Sequence, residues 1–368
     1  MRLINLELRN FRNIRDVELE FSPDVNIITG RNSQGKTNLL EALYLFSLGR
    51  SFRTTNRSEM ISFGRGHSYL KVTAESGAGI RNVVDVGMER EGEARIKVNG
   101  DRVNNFSEVI GIFPAVLFTA DDVDLVSGAP GGRRSFLDYT ASQISVDYLG
   151  SLRDYYRALR QRNAELKEEN NPEGNELIRA LARVISEKGE RVVEGRMEVL
   201  EDISESSGRL LDGILPEENR LEMKYRGSVD IEGGGYAERL YRRLESRREE
   251  EVLKGFTVSG PHRDDIRITL DRLDMRKFGS QGRKRLVAIV MKIAQAEVIN
   301  RRKGERPAVL LDDIFSELDS GVEREMGGFI SDQYQNFITS PREVRLETGG
   351  DIRRFTVNDG LVEQITDR

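Results

Sequence analysis

The segment that most constrains this chain is Gly30-Arg31-Asn32-Ser33-Gln34-Gly35-Lys36-Thr37, which has the spacing G-x-x-x-x-G-K-T. Before it stand Val25, Ile27 and Ile28, a short apolar run of strand character. After it, Leu39, Leu40, Leu43, Tyr44 and Phe46 fit a well-buried helix. A strand that enters a helix through a glycine loop brings several backbone N–H groups together at the helix's positive end, and that is a phosphate cradle. Gly30 and Gly35 let the backbone close on the anion. Lys36 is expected on the β and γ phosphates of a nucleotide, with the Thr37 hydroxyl on Mg²⁺. So short a pattern also arises by chance; its placement between a strand and a helix is what gives it weight.

A second element supports the first. Val309-Leu310-Leu311 reads as a buried strand and ends in Asp312-Asp313. Two adjacent carboxylates at the end of a buried strand are costly unless cations meet them, and Mg²⁺ would be one. Asp312 is expected in the metal's coordination shell, and Asp313 is placed to orient or deprotonate an attacking water. The alternative is a strand end that simply emerges into solvent.

A third element, "FGSQGRKRL" from Phe278 to Leu286, opens a helix at Ser280-Gln281-Gly282. The Ser280 hydroxyl and the free N–H groups of that first turn form a second anion site. Arg283, Lys284 and Arg285 follow at once, where the helix dipole disfavours cations unless an anion is near. Since the first loop already cradles phosphates by itself, this site is expected to cap the γ-phosphate held by another subunit.

Both ends of the chain are strand-rich and the middle is helical. "YLKVTA", "RNVVDVGMER" and "ARIKVNG" alternate with a period of two, as do Ile4, Leu6 and Leu8, and Asn99-Gly100 signals a hairpin turn. Between about 145 and 214 a 3,4 spacing runs through Leu149, Leu152, Tyr156, Leu159, Asn163 and Leu166. It resumes after "EENNPEGN" at Leu177, Leu181, Val184, Lys188, Val192, Gly195, Val199, Ile203, Ser206, Leu210 and Ile214. This predicts a short antiparallel helix pair. The expected architecture is α/β, with one lobe built from residues 1–114 and 305–368 and a helical lobe, 115–304, inserted into it.

Composition removes several classes. The 368 residues include no cysteine and only His67 and His262, too few for a zinc site of His/Cys type. The N-terminus "MRLINLELRNF" alternates where a signal peptide would be basic and then apolar. No stretch approaches the roughly 20 apolar residues of a spanning helix, so a cytoplasmic protein without a membrane partner is expected.

The 57 basic and 62 acidic residues give a net charge of -5, so any nucleic-acid surface must be local. The window Arg276–Arg306 holds ten Lys or Arg against Glu297 and Glu305. Candidate phosphate contacts are Arg50, Arg53, Arg57, Lys284, Arg285, Arg301 and Arg302, with a stripe Arg153, Arg157, Arg160; a solvated face explains the same residues. No aromatic ladder accompanies them, so backbone-directed, sequence-independent binding is expected over base stacking. His262 with Asp264-Asp265 in "SGPHRDD" reads as a structural hydrogen-bond network before an acid–base set.

The phosphate loop, the "SQG" helix start and the Asp-Asp strand, in that order and followed by "SELD" (Ser316 to Asp319), resemble the ATP-binding-cassette (ABC) head shared by transporters, SMC proteins and their DNA-repair relatives. Asn32 resembles the SMC-type subset. Adding "NFRN" at Asn10, "LGRSFRT" at Leu48, "DDVDLVSGAPGGRRSFLD" at Asp121 and "SGPHRDD" at Ser259, the chain resembles the RecF family of bacterial recombination mediators. The likeness runs end to end, with about 145–255 similar in character only.

The resemblance implies a cytoplasmic, weak DNA-dependent ATPase that uses ATP and Mg²⁺ and forms a homodimer on ATP. Residues 30–37 of one copy would face Ser280, Gln281 and Gly282 of the other. It further implies binding to duplex DNA and gap junctions and, with RecO and RecR, loading of RecA at single-strand gaps. Two departures from the wider pattern matter. Arg283 and Lys284 stand where glutamines usually follow the signature glycine, and Asp313 stands where most cassette ATPases have glutamate, which fits slow, switch-like turnover. A transporter-associated ATPase is disfavoured by the long helical insert and by "NFITS", which offers Thr339 or Ser340 and no histidine. A fused nuclease would need an acidic metal-binding domain for which no residues remain.

Overall fold

A computed structural model of the chain describes residues 1–168, 172–214, 220–314, 333–342, 344 and 349–365. In chain order the strands are β1 (Arg2–Phe11), β2 (Ile14–Glu20), β3 (Val25–Thr29), β4 (His67–Glu75), β5 (Arg81–Glu89), β6 (Arg95–Val98), β7 (Asp101–Val103), β8 (Ala115–Phe118), β9 (Leu221–Arg226), β10 (Asp265–Leu270), β11 (Leu273–Asp274), β12 (Ala308–Asp312), β13 (Asn336–Ser340), β14 (Ile352–Asn358) and β15 (Leu361–Ile365). The helices are α1 (Lys36–Leu48), α2 (Asp124–Ser127), α3 (Pro130–Ile144), α4 (Val146–Glu165), α5 (Pro172–Ile214), α6 (Tyr236–Ser246), α7 (Arg248–Lys254), α8 (Met275–Phe278) and α9 (Gln281–Lys303).

Two compact units result, Met1–Asp122 with Ile289–Arg368, and Val123–Ala288. The divisions fall at 122/123 and 288/289, where the sequence suggested 114/115 and 304/305. The physical reason is pairing: β8 lies parallel to β12, with Val116 opposite Val309, so the strand after Pro114 is bound into the sheet that the C-terminal strands complete.

The first unit has two sheets. One is antiparallel, in the order β2-β1-β4-β5-β6-β7, and Asn99-Gly100 forms its last hairpin turn with both residues at positive φ, 53° and 93°. In β1 the buried set is Leu3, Leu6, Leu8 and Phe11, not Ile4, because a register shift between Leu3 and Asn5 turns the first residues over. The other sheet has the order β15-β14-β3-β13-β12-β8, parallel except for the edge strand β15. Its central strands are buried without alternation, as packing on both faces requires. Phe21 stacks edge-on against Phe337 and Phe355, with centroids 4.8 and 5.9 Å away. Gln335 ties the two sheets together: its amide accepts from Leu3 N and donates to the carbonyls of Leu3 and Ser22.

In the second unit α4 and α5 run antiparallel, since Gly195 meets Tyr148 while Gly189 meets Tyr155. The buried stripe differs from the heptad seam read from sequence. Leu177 and Val184 are exposed, whereas Tyr148, Tyr155, Arg162 and Arg196 are buried. The seam failed there because α5 packs against α3, α6 and β9 as well as α4, and a helix with several neighbours buries more than one stripe. Arg196 forks onto Asp138 at 2.7 and 2.8 Å and donates to the Pro261 carbonyl at 2.7 Å. Removing one member of such a buried pair strands the other, at a cost of about 3–5 kcal/mol.

Candidate functional site

Strands β3, β13 and β12 lie side by side and parallel, so their C-terminal ends share one edge of the sheet. Ser340 is opposite Thr29 and Thr339 is opposite Asp312. In open parallel sheets ligands bind at that edge. The glycine loop springs from it. Gly30 has φ 152°, and a Cβ there would sit 2.3 Å from the Val357 carbonyl oxygen, so no larger residue fits. Ser33 adopts φ 65° and Gly35 φ 120°, which coils the loop before α1 begins at Lys36.

The Lys36 ammonium donates to the carbonyls of Gly30 (2.7 Å) and Arg31 (3.0 Å), spanning the mouth of the loop. Burial lowers its pKa, against the attraction of Asp313 and Asp312, which raises it. Thr37 Oγ1 donates to Asp312 Oδ1 at 2.9 Å, and Thr339 Oγ1 donates to the same oxygen at 2.8 Å. Thr339 Oγ1 in turn accepts the Asp313 N–H at 3.0 Å. Asp313 itself has φ 51°, a left-handed turn that takes its side chain out of the strand's alternation.

Burial pushes the Asp312 carboxyl above its usual range, although both threonine hydroxyls work the other way. A buried carboxylate in that condition is one that a cation would relieve. Thr37 Oγ1 and Asp312 Oδ1 are hard oxygen donors and suit a small divalent cation that takes its remaining oxygens from phosphate and water. The described residues contain no cluster of three or more His, Cys, Asp or Glu able to cage a metal alone.

The loop is braced from behind by residues that the sequence reading left without a role. Asn13 Nδ2 donates to the Gln34 carbonyl at 2.8 Å, and Gly360 N donates to the same carbonyl at 3.0 Å. Asp359 N donates to Gln34 Oε1 at 2.7 Å. At the other side of α1, fully buried Glu41 receives a fork from Arg12 (2.9 and 2.5 Å), the Ser51 hydroxyl (2.5 Å) and, at 3.5 Å, Arg53. Asn38 joins the two groups, donating to Asn13 and accepting from Arg53. Glu41 was hidden because it occupies a core position on an apolar helix, where only its partners, 29 and 10 residues away, make a carboxylate tolerable.

Gly279 and Ser280 precede α9 in the second unit. Ser280 Oγ accepts the Arg283 N–H at 3.3 Å and caps the helix, and Ser280, Gln281, Gly282, Arg283 and Arg285 are exposed, with Lys284 half-buried. A Cβ at Gly282 would meet nothing, so its surface is open. Of the proposed phosphate contacts in the first unit, Arg50, Arg53 and Arg57 are exposed, and Arg57 lies over the Phe106 ring. Arg301 and Arg302 are exposed in the last turn of α9, where the helix dipole favours cations. The "SELD" segment lies outside the described residues.

His262 is part of a network in the second unit. Its Nε2–H donates to the Thr257 carbonyl (3.1 Å) and its Nδ1 accepts from Tyr155 (2.6 Å), while Asp264 accepts from Tyr225 and the Ser228 N–H. Burial lowers the His262 pKa to about 4, so the ring is neutral. Asp265 is forked by Arg133.

A parallel sheet with a glycine phosphate loop at its C-terminal edge, an Asp-Asp strand two places away and an inserted helical unit defines a head of the ABC-type, SMC-like ATPase fold. Residues 2–363 match the family model described as the RecF/RecN/SMC N terminal domain. The DNA replication and repair protein RecF of Ligilactobacillus salivarius (strain UCC118) is 34% identical over 347 residues, 93% of this chain and 91% of that protein. A solved structure of the recombination mediator protein RecF with ATP, in the RecFOR pathway, superposes with a TM-score of 0.91 at 33% identity, covering 99% of this chain and 97% of that one. The Smc head domain of Pyrococcus furiosus shares the fold, with a TM-score of 0.57 at 17% identity over 99% of this chain and 95% of that one. The chain belongs to the RecF family.

Proposed function

We propose that this chain is an ATP-dependent DNA-binding protein of recombinational repair and replication restart, acting in the cytoplasm. The observation that carries the reading is the junction at Asp312, where one carboxylate oxygen collects the hydroxyls of Thr37, next to the phosphate loop, and Thr339, next to Asp313. The loop that would hold a triphosphate and the residue that would direct its hydrolysis are thereby fixed to each other.

Gly30, Arg31, Asn32, Ser33, Gln34 and Gly35 offer backbone N–H groups to phosphate oxygens. Lys36 exchanges the Gly30 and Arg31 carbonyls for the β and γ phosphates, a better match for an ammonium already partly desolvated. Thr37 and Asp312 would hold Mg²⁺, which when bound would neutralise phosphate charge. Asp313 positions the attacking water and accepts its proton. The RecF relatives are DNA replication and repair proteins, which supports a repair role here, and the solved RecF–ATP structure of the RecFOR pathway supports nucleotide binding.

The same reading makes ATP the agent of assembly. Ser280, Gln281 and Gly282 form an exposed helix start, as expected of a surface meant for the γ-phosphate of a second copy. Contacts that exist only with the γ-phosphate present shift a monomer–dimer equilibrium on binding, and hydrolysis reverses the shift, giving slow turnover as a switch. Duplex DNA or a gap junction would lie across the closed dimer, with Arg50, Arg53, Arg57, Lys284, Arg285, Arg301 and Arg302 as candidate backbone contacts. RecO and RecR are the expected partners in loading RecA.

Fluorescence anisotropy of labelled duplex DNA tests this reading. Binding should require ATP and weaken steeply between 50 and 200 mM salt, as counterion release dictates for about six or more phosphate contacts. Equal affinity without nucleotide would overturn it.

A further inference from the structure

The second unit carries a groove lined by no residue of the phosphate loop or of the Ser280 segment. It measures about 910 Å³ and runs between α5 on one side and β9 with the 227–235 loop on the other. Helix α5 lays two parallel stripes along it. Val193, Met197 and Leu200 recur at intervals of four and three, the spacing of one helical face. Glu194, Glu198, Glu201, Glu205 and Asp212 follow the same periodicity one residue further round. Leu221 and Met223 of β9 supply the opposite apolar wall. Val193, Leu200, Leu221 and Met223 are buried and form its floor, and Met197, 38% exposed, rises from that floor between acidic neighbours.

The acidic side chains along this groove outnumber its two arginines, Arg209, which donates to the Ser206 hydroxyl, and Arg220. Glu190 accepts the Ala237 N–H, Glu194 pairs with Arg191 at 3.1 Å, and Glu222 is held by Arg220 and Lys224. Glu198, Glu201, Glu205 and Asp212 form no ion pair among the described residues. Like charges three and four residues apart repel along a helix, so the stripe is unfavourable in isolation. A metal ion needs converging ligands, and the described carboxylates form no such cluster. Nucleic acid is repelled. What satisfies an apolar stripe and an acidic stripe of matching helical period is a helix with apolar residues on one side and lysine or arginine beside them.

We propose that this groove docks a basic amphipathic helix of a partner protein, laid along α5 between Val193 and Asp212. Those twenty residues span about 30 Å. The occupant's apolar residues at i, i+3, i+4 and i+7 pack on Met197 above the buried floor of Leu200, Leu221 and Met223, and its cations meet Glu198, Glu201 and Glu205, the helix-in-groove mode of recognition. The surface is independent of the nucleotide reading: it would serve whether or not the phosphate loop turns over ATP.

The probe is a fluorescein-labelled 20-residue peptide of leucine and lysine at heptad spacing, titrated with the full chain, beside a scramble of the same composition that lacks a helical apolar face. The amphipathic peptide should bind at least about tenfold more tightly than the scramble, a difference of one decade in Kd. The triple variant Glu198→Lys, Glu201→Lys, Glu205→Lys should weaken it by about the same factor. Met197→Asp is the decisive variant. It adds negative charge while removing the apolar floor, so docking predicts weaker binding, whereas unspecific attraction predicts equal or tighter binding. Equal binding of the scramble, or undiminished binding to Met197→Asp, overturns the proposal. Duplex DNA tested without peptide should bind wild type and Met197→Asp alike; DNA affinity that falls with Met197→Asp would assign the groove to nucleic acid instead. Glu198, Glu201 and Glu205 form no ion pair among the described residues, and thermal melting of each variant checks that it folds before binding is compared.

Discussion

Thr37 and Thr339 donate to the same oxygen of Asp312, at 2.9 and 2.8 Å, from elements some 300 residues apart in sequence. Thr339 also accepts the Asp313 N–H. Thr339→Val keeps the shape and deletes both hydrogen bonds, leaving that N–H without its acceptor. A loss of about 1–3 kcal/mol is expected in urea denaturation. Thr339→Ser should recover most of it.

Burial raises the Asp312 pKa, so ionisation of this group opposes folding of the nucleotide-free protein. The sign follows: its contribution is fully favourable below the unfolded carboxyl pKa and is lost as pH rises through the higher folded value. Asp312→Asn, which still accepts from both threonines, should therefore melt at a higher temperature than wild type at neutral pH without ligand. Adding Mg²⁺ and ATP should raise the melting temperature of wild type and have much less effect on the variant. A variant that melts lower without ligand would contradict the assignment.

Glu41 is wholly buried and the Arg12 side chain is 16% exposed, while the Arg53 side chain is 45% exposed and sits 3.5 Å from the carboxylate. Arg12→Ala should cost about 3–5 kcal/mol, since it abandons a buried charge. Arg53→Ala should cost less than about 1 kcal/mol. The contrast is read by urea denaturation. If Arg53→Ala also weakens DNA binding without loss of stability, Arg53 is a DNA contact and not merely a brace.

His262 is held neutral with a pKa of about 4, below the unfolded value near 6.5. The unfolded chain therefore binds the extra proton first as pH falls. The stabilisation, about 3 kcal/mol at most, is complete above pH 6.5 and is lost progressively as pH drops towards 4. His262→Gln should be less stable than wild type at pH 7.5 and should show a shallower loss of stability on acidification. Parallel slopes for the two proteins would contradict this account.

The strand–loop–helix around Lys36 and the Asp312-Asp313 strand end were legible because each is written in contiguous residues. Thr339 was visible only as a place without histidine. Its role depends on the parallel register that sets it beside Asp312, and register between strands so far apart leaves no local trace. Glu41, Asn13 and Gln34 were missed as a brace for the same reason. In the helical unit the 3,4 periodicity gave the helices and their antiparallel arrangement but misplaced the buried stripe. Arg162 and Arg196 count as polar in any pattern, yet each is buried against a carboxylate, Glu251 and Asp138, contributed by another element.

On the proposed function, ATP joins two copies, each completing the other's site. Sedimentation velocity of the Asp313→Asn variant with Mg²⁺ and ATP tests it most directly, with the same variant carrying Ser280→Arg as control. A dimer that forms with ATP, grows with protein concentration and is abolished by Ser280→Arg is the expected result. A monomer at every concentration, together with a wild-type specific activity that does not depend on concentration, would contradict it.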